Sequence, residues 1–226
     1  MFDEEEFSGH LERGLAGMGL PPLPAPGRGR LWRYFVELDR WGRKMDLVAP
    51  APDLVRLESH FLDSLSLLAA LGDGPLLDVG SGAGFPGLVV KTARPGLAVT
   101  LVEPRRKRVD FLKHLIRLLG LAGVEVVEGR VEAEGGRFAA VHGQFPAITS
   151  RALTEVDPFL ALVERLSPPQ GQVLCMKGPK AEAELASWRR SSPASPFVLE
   201  RRLDFRLPFS GADRRLLVFR RQEAQA

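Results

Sequence analysis

Apolar residues recur along this chain with two different periods. Leu31, Tyr34, Phe35, Leu38 and Trp41, and then Leu54, Leu57, Phe61, Leu65 and Leu68, fall three or four apart, the spacing that lines up one face of an α-helix. The pattern predicts amphipathic helices over 31–44 and 53–71. From Leu76 the pattern changes to short apolar runs separated by helical stretches, the signature of strands and helices wound round a mainly parallel sheet. Strands are expected at 76–79, 99–103, 124–128, 147–150, 172–177, 197–205 and 215–219, and helices at 85–92, 105–119, 155–166 and 180–188. No helical pattern separates the last two strands, so the seven-stranded sheet should finish in an antiparallel hairpin. The expected class is α/β and Rossmann-like, with an N-terminal helical cap.

Four prolines in the six positions from Pro21 to Pro26 read as an extended linker, because proline lacks a backbone N–H and resists helix. The chain is therefore expected to divide into an acidic arm and linker (1–30), a helical cap (31–74) and the α/β domain (75–226). Hydrophobic residues make up 45% and charged residues 26% of 226 residues, an ordinary globular composition. The single cysteine, Cys175, excludes an internal disulfide, and Asp3-Glu-Glu-Glu6 is the wrong charge for a secretory leader, so a cytoplasmic protein is expected. No apolar run approaches the roughly 20 residues that span a bilayer. Net charge is +3, but residues 1–27 hold five acids and one base, leaving 30 bases against 23 acids in the remainder. A basic body suits a polyanion.

The densest signal is Asp78-Val-Gly-Ser-Gly-Ala-Gly-Phe-Pro-Gly87. Glycines at 80, 82, 84 and 87 after a strand let backbone approach a ligand, and Pro86 can open the helix that follows. Glu103 ends the next strand about 20 residues on, where an acid can accept from ribose hydroxyls. Asp78 and the glycines Gly80 and Gly82 are thus candidates for a nucleotide cofactor. Gly82-Ala-Gly84-Phe-Pro-Gly87 also satisfies G-x-G-x-x-G, so an NAD(P)-dependent oxidoreductase is one reading. S-adenosylmethionine is the favoured one, because a carboxylate at Asp78 can receive an ammonium and would repel a pyrophosphate.

Together with His60-Phe-Leu-Asp-Ser64, Lys107-Arg-Val-Asp-Phe-Leu112, Arg130-Val-Glu132, Ser150-Arg-Ala152 and Lys177-Gly178, this loop resembles the bacterial small-subunit ribosomal RNA guanine-N7 methyltransferases, also called glucose-inhibited division protein B. The likeness runs from about Trp41 to Val218. It departs where the family reads W-N-x-x-x-N-L-T, which here is Trp41-Gly42 and then Asp46-Leu47-Val48, and where R-H-L becomes Arg214-Arg215-Leu216. The resemblance implies a class I S-adenosylmethionine-dependent methyltransferase fold, transfer to N7 of a guanine in 16S ribosomal RNA, and cofactor contacts from Gly80, Phe85, Glu103, Val131, Glu132 and Arg151. Lys107, Arg108, Arg130, Lys177 and Arg214 are expected to meet ribosomal RNA or the small subunit. A non-catalytic RNA-binding assembly factor is the third reading. Guanine N7 carries no proton, so no catalytic base is expected; nor is a metal, because no His, Cys or Asp cluster has ligand spacing. Cys175 is read as a small core residue.

Overall fold

Residues 1–43, 45–132 and 144–223 are described by the computed structural model of the chain; Lys44, expected to end the first cap helix, lies outside them. Among the described residues seven strands, β1 (Leu76–Val79), β2 (Val99–Glu103), β3 (Val124–Glu128), β4 (Ala147–Arg151), β5 (Gln172–Lys177), β6 (Phe197–Arg206) and β7 (Asp213–Arg221), form one sheet. Its order is β3-β2-β1-β4-β5-β7-β6. The first five strands are parallel. β7 runs antiparallel to β5 and β6 to β7, so the expected terminal hairpin is present.

Successive strand residues face opposite sides of a sheet, and β1 divides the core accordingly. Leu76 joins one apolar cluster, while Leu77 and Val79 join the other. The second cluster also takes Phe159 and Leu160 of α6 (Val156–Val163) and Leu185 and Trp188 of α7 (Ala181–Ser191). Cys175 is buried there, and burial pushes its thiol up to about 12, in keeping with a packing role. On the other face lie α1 (Glu4–Gly17), α2 (Ala25–Gly42), α3 (residues 53–69), α4 (Gly87–Ala93) and α5 (Arg106–Leu118).

The first thirty residues differ from the sequence expectation. The acidic stretch is not an arm but the helix α1, opened by a capping box in which Asp3 accepts from Glu6 N–H at 2.8 Å and Glu6 accepts from Asp3 N–H at 3.0 Å. Phe7, Leu11 and Leu15 then fall on one face and are fully buried. A Cβ at Gly14 would stand 2.3 Å from a Leu62 methyl, so α1 lies hard against α3. The proline run is extended only to Pro24; α2 starts at Ala25 and takes Pro26 in its first turn, where no N–H partner is needed.

α3 is one rod with a changing pitch: α-helical at Asp53–Arg56, a π-turn at Leu57–Leu62, α again at Asp63–Leu65 and 3₁₀ at Ser66–Ala69. Such a π segment often marks a functional site. Arg56 bonds Asp39 of α2 at 2.7 Å, joining α3 to α2. No helix among the described residues is long and apolar enough to cross a membrane.

Candidate active site

β1 has β2 on one side and β4 on the other, so the connections leaving β1 and β4 diverge and open a crevice at the carboxyl ends of the strands. A cleft of about 870 Å³ occupies it, lined by the glycine loop, the ends of β2 and β4, and α3. The loop can run here because Gly80, Gly82 and Gly84 have φ of +74°, +58° and +100°, conformations costly to any residue with a Cβ.

Asp78 does not line this cleft. It lies beneath the loop with no exposure, and its Oδ2 accepts the N–H of Gly87 at 2.8 Å. A Cβ at Gly87 would collide with that carboxylate at 2.7 Å, so Gly87 is what lets the brace form. Oδ1 is buried with no hydrogen-bond partner among the described residues. Burial pushes the carboxyl up to about 7, against the pull of the Gly87 N–H and the Arg151 charge.

Glu103 holds the loop from the cleft side. Its Oε2 accepts from Gly82 N–H at 2.9 Å and its Oε1 from Arg105 N–H at 2.8 Å. Val131 is buried at the floor beside it. Glu132 is exposed and stands outside the wall.

At the other end, Phe85 is packed among groups from three elements. Tyr34 of α2 stacks on one side with planes 4° apart, and His60 of α3 stacks at 5.0 Å. The Arg151 guanidinium lies 5.0 Å from the ring centre, a favourable place for a cation. Arg151 donates to the Ser59 carbonyl at 2.7 Å, to Asp63 at 3.3 Å and to His60 Nδ1 at 3.1 Å. The π-turn of α3 therefore supplies both Ser59 and His60 to the end of β4. Asp63 also pairs with Arg214 at 3.3 Å. Burial and the charges of Arg151 and Arg56 hold His60 down at about 4, so the ring is neutral. After Arg151 the chain turns at Ala152 with φ of 56°, a left-handed non-glycine residue of the kind that collects at functional sites.

The five expected RNA contacts are not equivalent. Arg108 and Arg130 line the cleft, and Lys107 is exposed on α5. Lys177 is turned inward: its ammonium donates to the Thr154 carbonyl at 2.6 Å and pairs with Glu184 at 2.8 Å. Arg214 is half-buried behind Asp63. Sequence reasoning gave no site role to Tyr34, to the Arg151–His60 contact, or to the apolar wall residues Leu47, Val48, Leu153 and Leu162. For Tyr34 the helical period pointed only to the core.

Residues 29–203 match the family model described as rRNA small subunit methyltransferase G. A protein named Ribosomal RNA small subunit methyltransferase G from Desulfotalea psychrophila is 45% identical over 217 residues, covering 95% of this chain and 99% of its own. The protein of that name from Myxococcus xanthus is 40% identical over 227 residues, covering 97% and 100%. Among solved structures, a SAM dependent methyltransferase from Aquifex aeolicus superposes with a TM-score of 0.54 at 20% identity, over 74% of this chain and 92% of that one, a likeness of fold.

Proposed function

Because the chain belongs to the rRNA small subunit methyltransferase G family, we propose that it moves the methyl group of S-adenosylmethionine to N7 of a guanine in 16S ribosomal RNA, acting in the cytoplasm on that RNA or on the small subunit. The observation that carries this reading is the crevice beside β1, where a loop of left-handed glycines faces Glu103 in a chain matched to the family along most of its length.

The residues present fit an adenosyl cofactor. Gly80 and Gly82 put no side chain in the way. Each Glu103 oxygen accepts one backbone N–H and keeps a lone pair for a ribose hydroxyl. Val131 gives an adenine an apolar floor, and Arg151 offers its charge to a carboxylate. Asp78 acts through the loop that it braces. When bound, the cofactor supplies an electrophilic methyl group on a sulfonium.

The protein's own part is orientation and shelter. Guanine N7 has a free lone pair and no proton to lose, so no side chain has to act as a base. Leu47, Val48, Leu153 and Leu162 give the cleft an apolar wall that shelters it from water, and holding N7 in line with the methyl group can lower a barrier by roughly 7–11 kcal/mol at best. N7 faces the major groove, too deep and narrow in A-form RNA for a side chain to read, so the base must be unpaired or turned out. Lys107, Arg108 and Arg130 hold the flanking phosphates, while Lys177 and Arg214 keep the site in shape. Neither an oxidoreductase nor a non-catalytic factor gains support from the relatives' names.

The test is transfer of labelled methyl from S-adenosylmethionine. 16S RNA from a strain lacking this protein should accept label, and RNA from the parent strain should not; equal labelling of both would overturn the proposal.

A further inference from the structure

Reading guanine at N7 poses a specificity problem, because adenine has the same N7. The two bases differ at the neighbouring position of that edge: guanine carries the O6 acceptor and adenine an amino donor. A site that selects guanine there needs a hydrogen-bond donor. A neutral donor is better than a cation, since N7 methylation leaves positive charge on the base.

His60 meets that need. A guanidinium has no acceptor, so the Arg151 N–H that points at His60 Nδ1 requires a lone pair there, which places the proton of the neutral ring on Nε2. The ring cannot swing freely, being stacked on Phe85 with planes 19° apart. Arg151 is fixed in turn by the Ser59 carbonyl and by Asp63. Nε2 has no hydrogen-bond partner among the described residues, and His60 forms part of the cleft wall. Among the described residues, the other neutral polar side chains on that wall are Ser81, whose hydroxyl donates to the Val102 carbonyl at 3.2 Å, and Thr154 at the exposed end.

We infer that His60 is the residue that distinguishes guanine from adenine, its Nε2–H donating to O6 of the target base while Arg151 locks the tautomer. The inference rests on guanine N7 being the acceptor. It assigns His60 to the RNA base and not to the cofactor.

The test uses 16S RNA in which the labelled guanine is replaced by inosine, which keeps O6, or by 2-aminopurine, which lacks it. The wild type should methylate inosine within a few-fold of guanine, and 2-aminopurine at least about tenfold less well, the scale of one lost hydrogen bond. His60→Leu should bring the guanine to 2-aminopurine ratio of kcat/KM close to one, with S-adenosylhomocysteine affinity unchanged within about twofold. His60→Gln, whose amide can accept from Arg151 and still present an N–H, should keep most of the discrimination. Equal use of 2-aminopurine and guanine by the wild type would overturn the inference without any variant. So would an unchanged ratio in His60→Leu, or a tenfold loss of S-adenosylhomocysteine affinity there. Absence of N7 methylation on unmodified RNA would instead remove the reading beneath it.

Discussion

Tyr34 and Phe85 lie with their rings parallel, the planes 4° apart and the centroids separated by 5.6 Å, so the second helix is stacked directly on the glycine loop. The Tyr34 hydroxyl donates to the Ala83 carbonyl in the same loop. Helical cap and cofactor loop are therefore a single packed unit.

Gly84 is the residue that permits this contact. A Cβ there would stand 2.4 Å from the Tyr34 hydroxyl, at a φ of +100°. Gly84→Ala should cost roughly 2–4 kcal/mol through overpacking and backbone strain and should weaken S-adenosylhomocysteine binding. Gly96→Ala, with nothing within 4 Å among the described residues, should do neither. Urea melts of the two variants give the comparison.

Asp78 should leave a signature in the pH dependence of stability. Its folded carboxyl is pushed up to about 7 from 3.8, so the folded chain holds that proton longer than the unfolded chain does. The associated stability is complete below about 4 and is lost as pH rises to about 7, by up to roughly 1.4 kcal/mol per pH unit. His60 works in the opposite sense: lowered to about 4 from 6.5, it contributes stability above 6.5 that is lost as pH falls toward 4. Comparing Asp78→Asn with the wild type in urea from pH 4 to 8 isolates the first effect. The variant should gain relative to the wild type between pH 4 and 7 and hold level beyond; a constant difference would contradict the assignment.

Arg151→Lys should not be conservative. The guanidinium serves Ser59, Asp63 and His60 at once, a planar fork that a single ammonium cannot reproduce. A loss of roughly 1.5–3 kcal/mol is expected from a charged hydrogen-bond network. S-adenosylhomocysteine affinity should fall about tenfold and the melting temperature by several degrees, readable by calorimetry and a thermal melt.

Exposed charge on α5 and on the cleft wall should separate from charge that is turned inward. Lys107→Ala and Arg130→Ala should each weaken RNA binding and lower the slope of log affinity against log salt by about one, leaving S-adenosylhomocysteine affinity intact. Lys177→Ala should leave the slope alone and lower stability, since its ammonium is held by Thr154 and Glu184. Anisotropy titrations at several salt concentrations decide between these behaviours.

The sheet was legible in the sequence because apolar runs with turns between them fix strands to within a residue or two, and Leu76–Val79 and Val99–Glu103 came out as expected. The first helix was legible in principle: Asp3 and Glu6 three apart, followed by Phe7, Leu11 and Leu15, are a capping box and an apolar face. Prolines at 24 and 26 are an ambiguous signal, because proline breaks a helix in its interior and suits its first turn. The side chains at the site were harder to read. Asp78 and Lys177 sit at strand ends, where one residue of register decides between cleft and interior. Arg151 meets His60 across 91 positions of chain, a contact that only the packing of α3 on β4 creates.

The central claim is that the crevice between the glycine loop and Glu103 holds an adenosyl sulfonium cofactor and no dinucleotide. Isothermal titration of the purified protein with S-adenosylhomocysteine, and separately with NAD⁺ and NADH, tests it most directly. One saturable site for S-adenosylhomocysteine and no heat from either dinucleotide is the expected result. Saturation by a dinucleotide with no response to S-adenosylhomocysteine would contradict it.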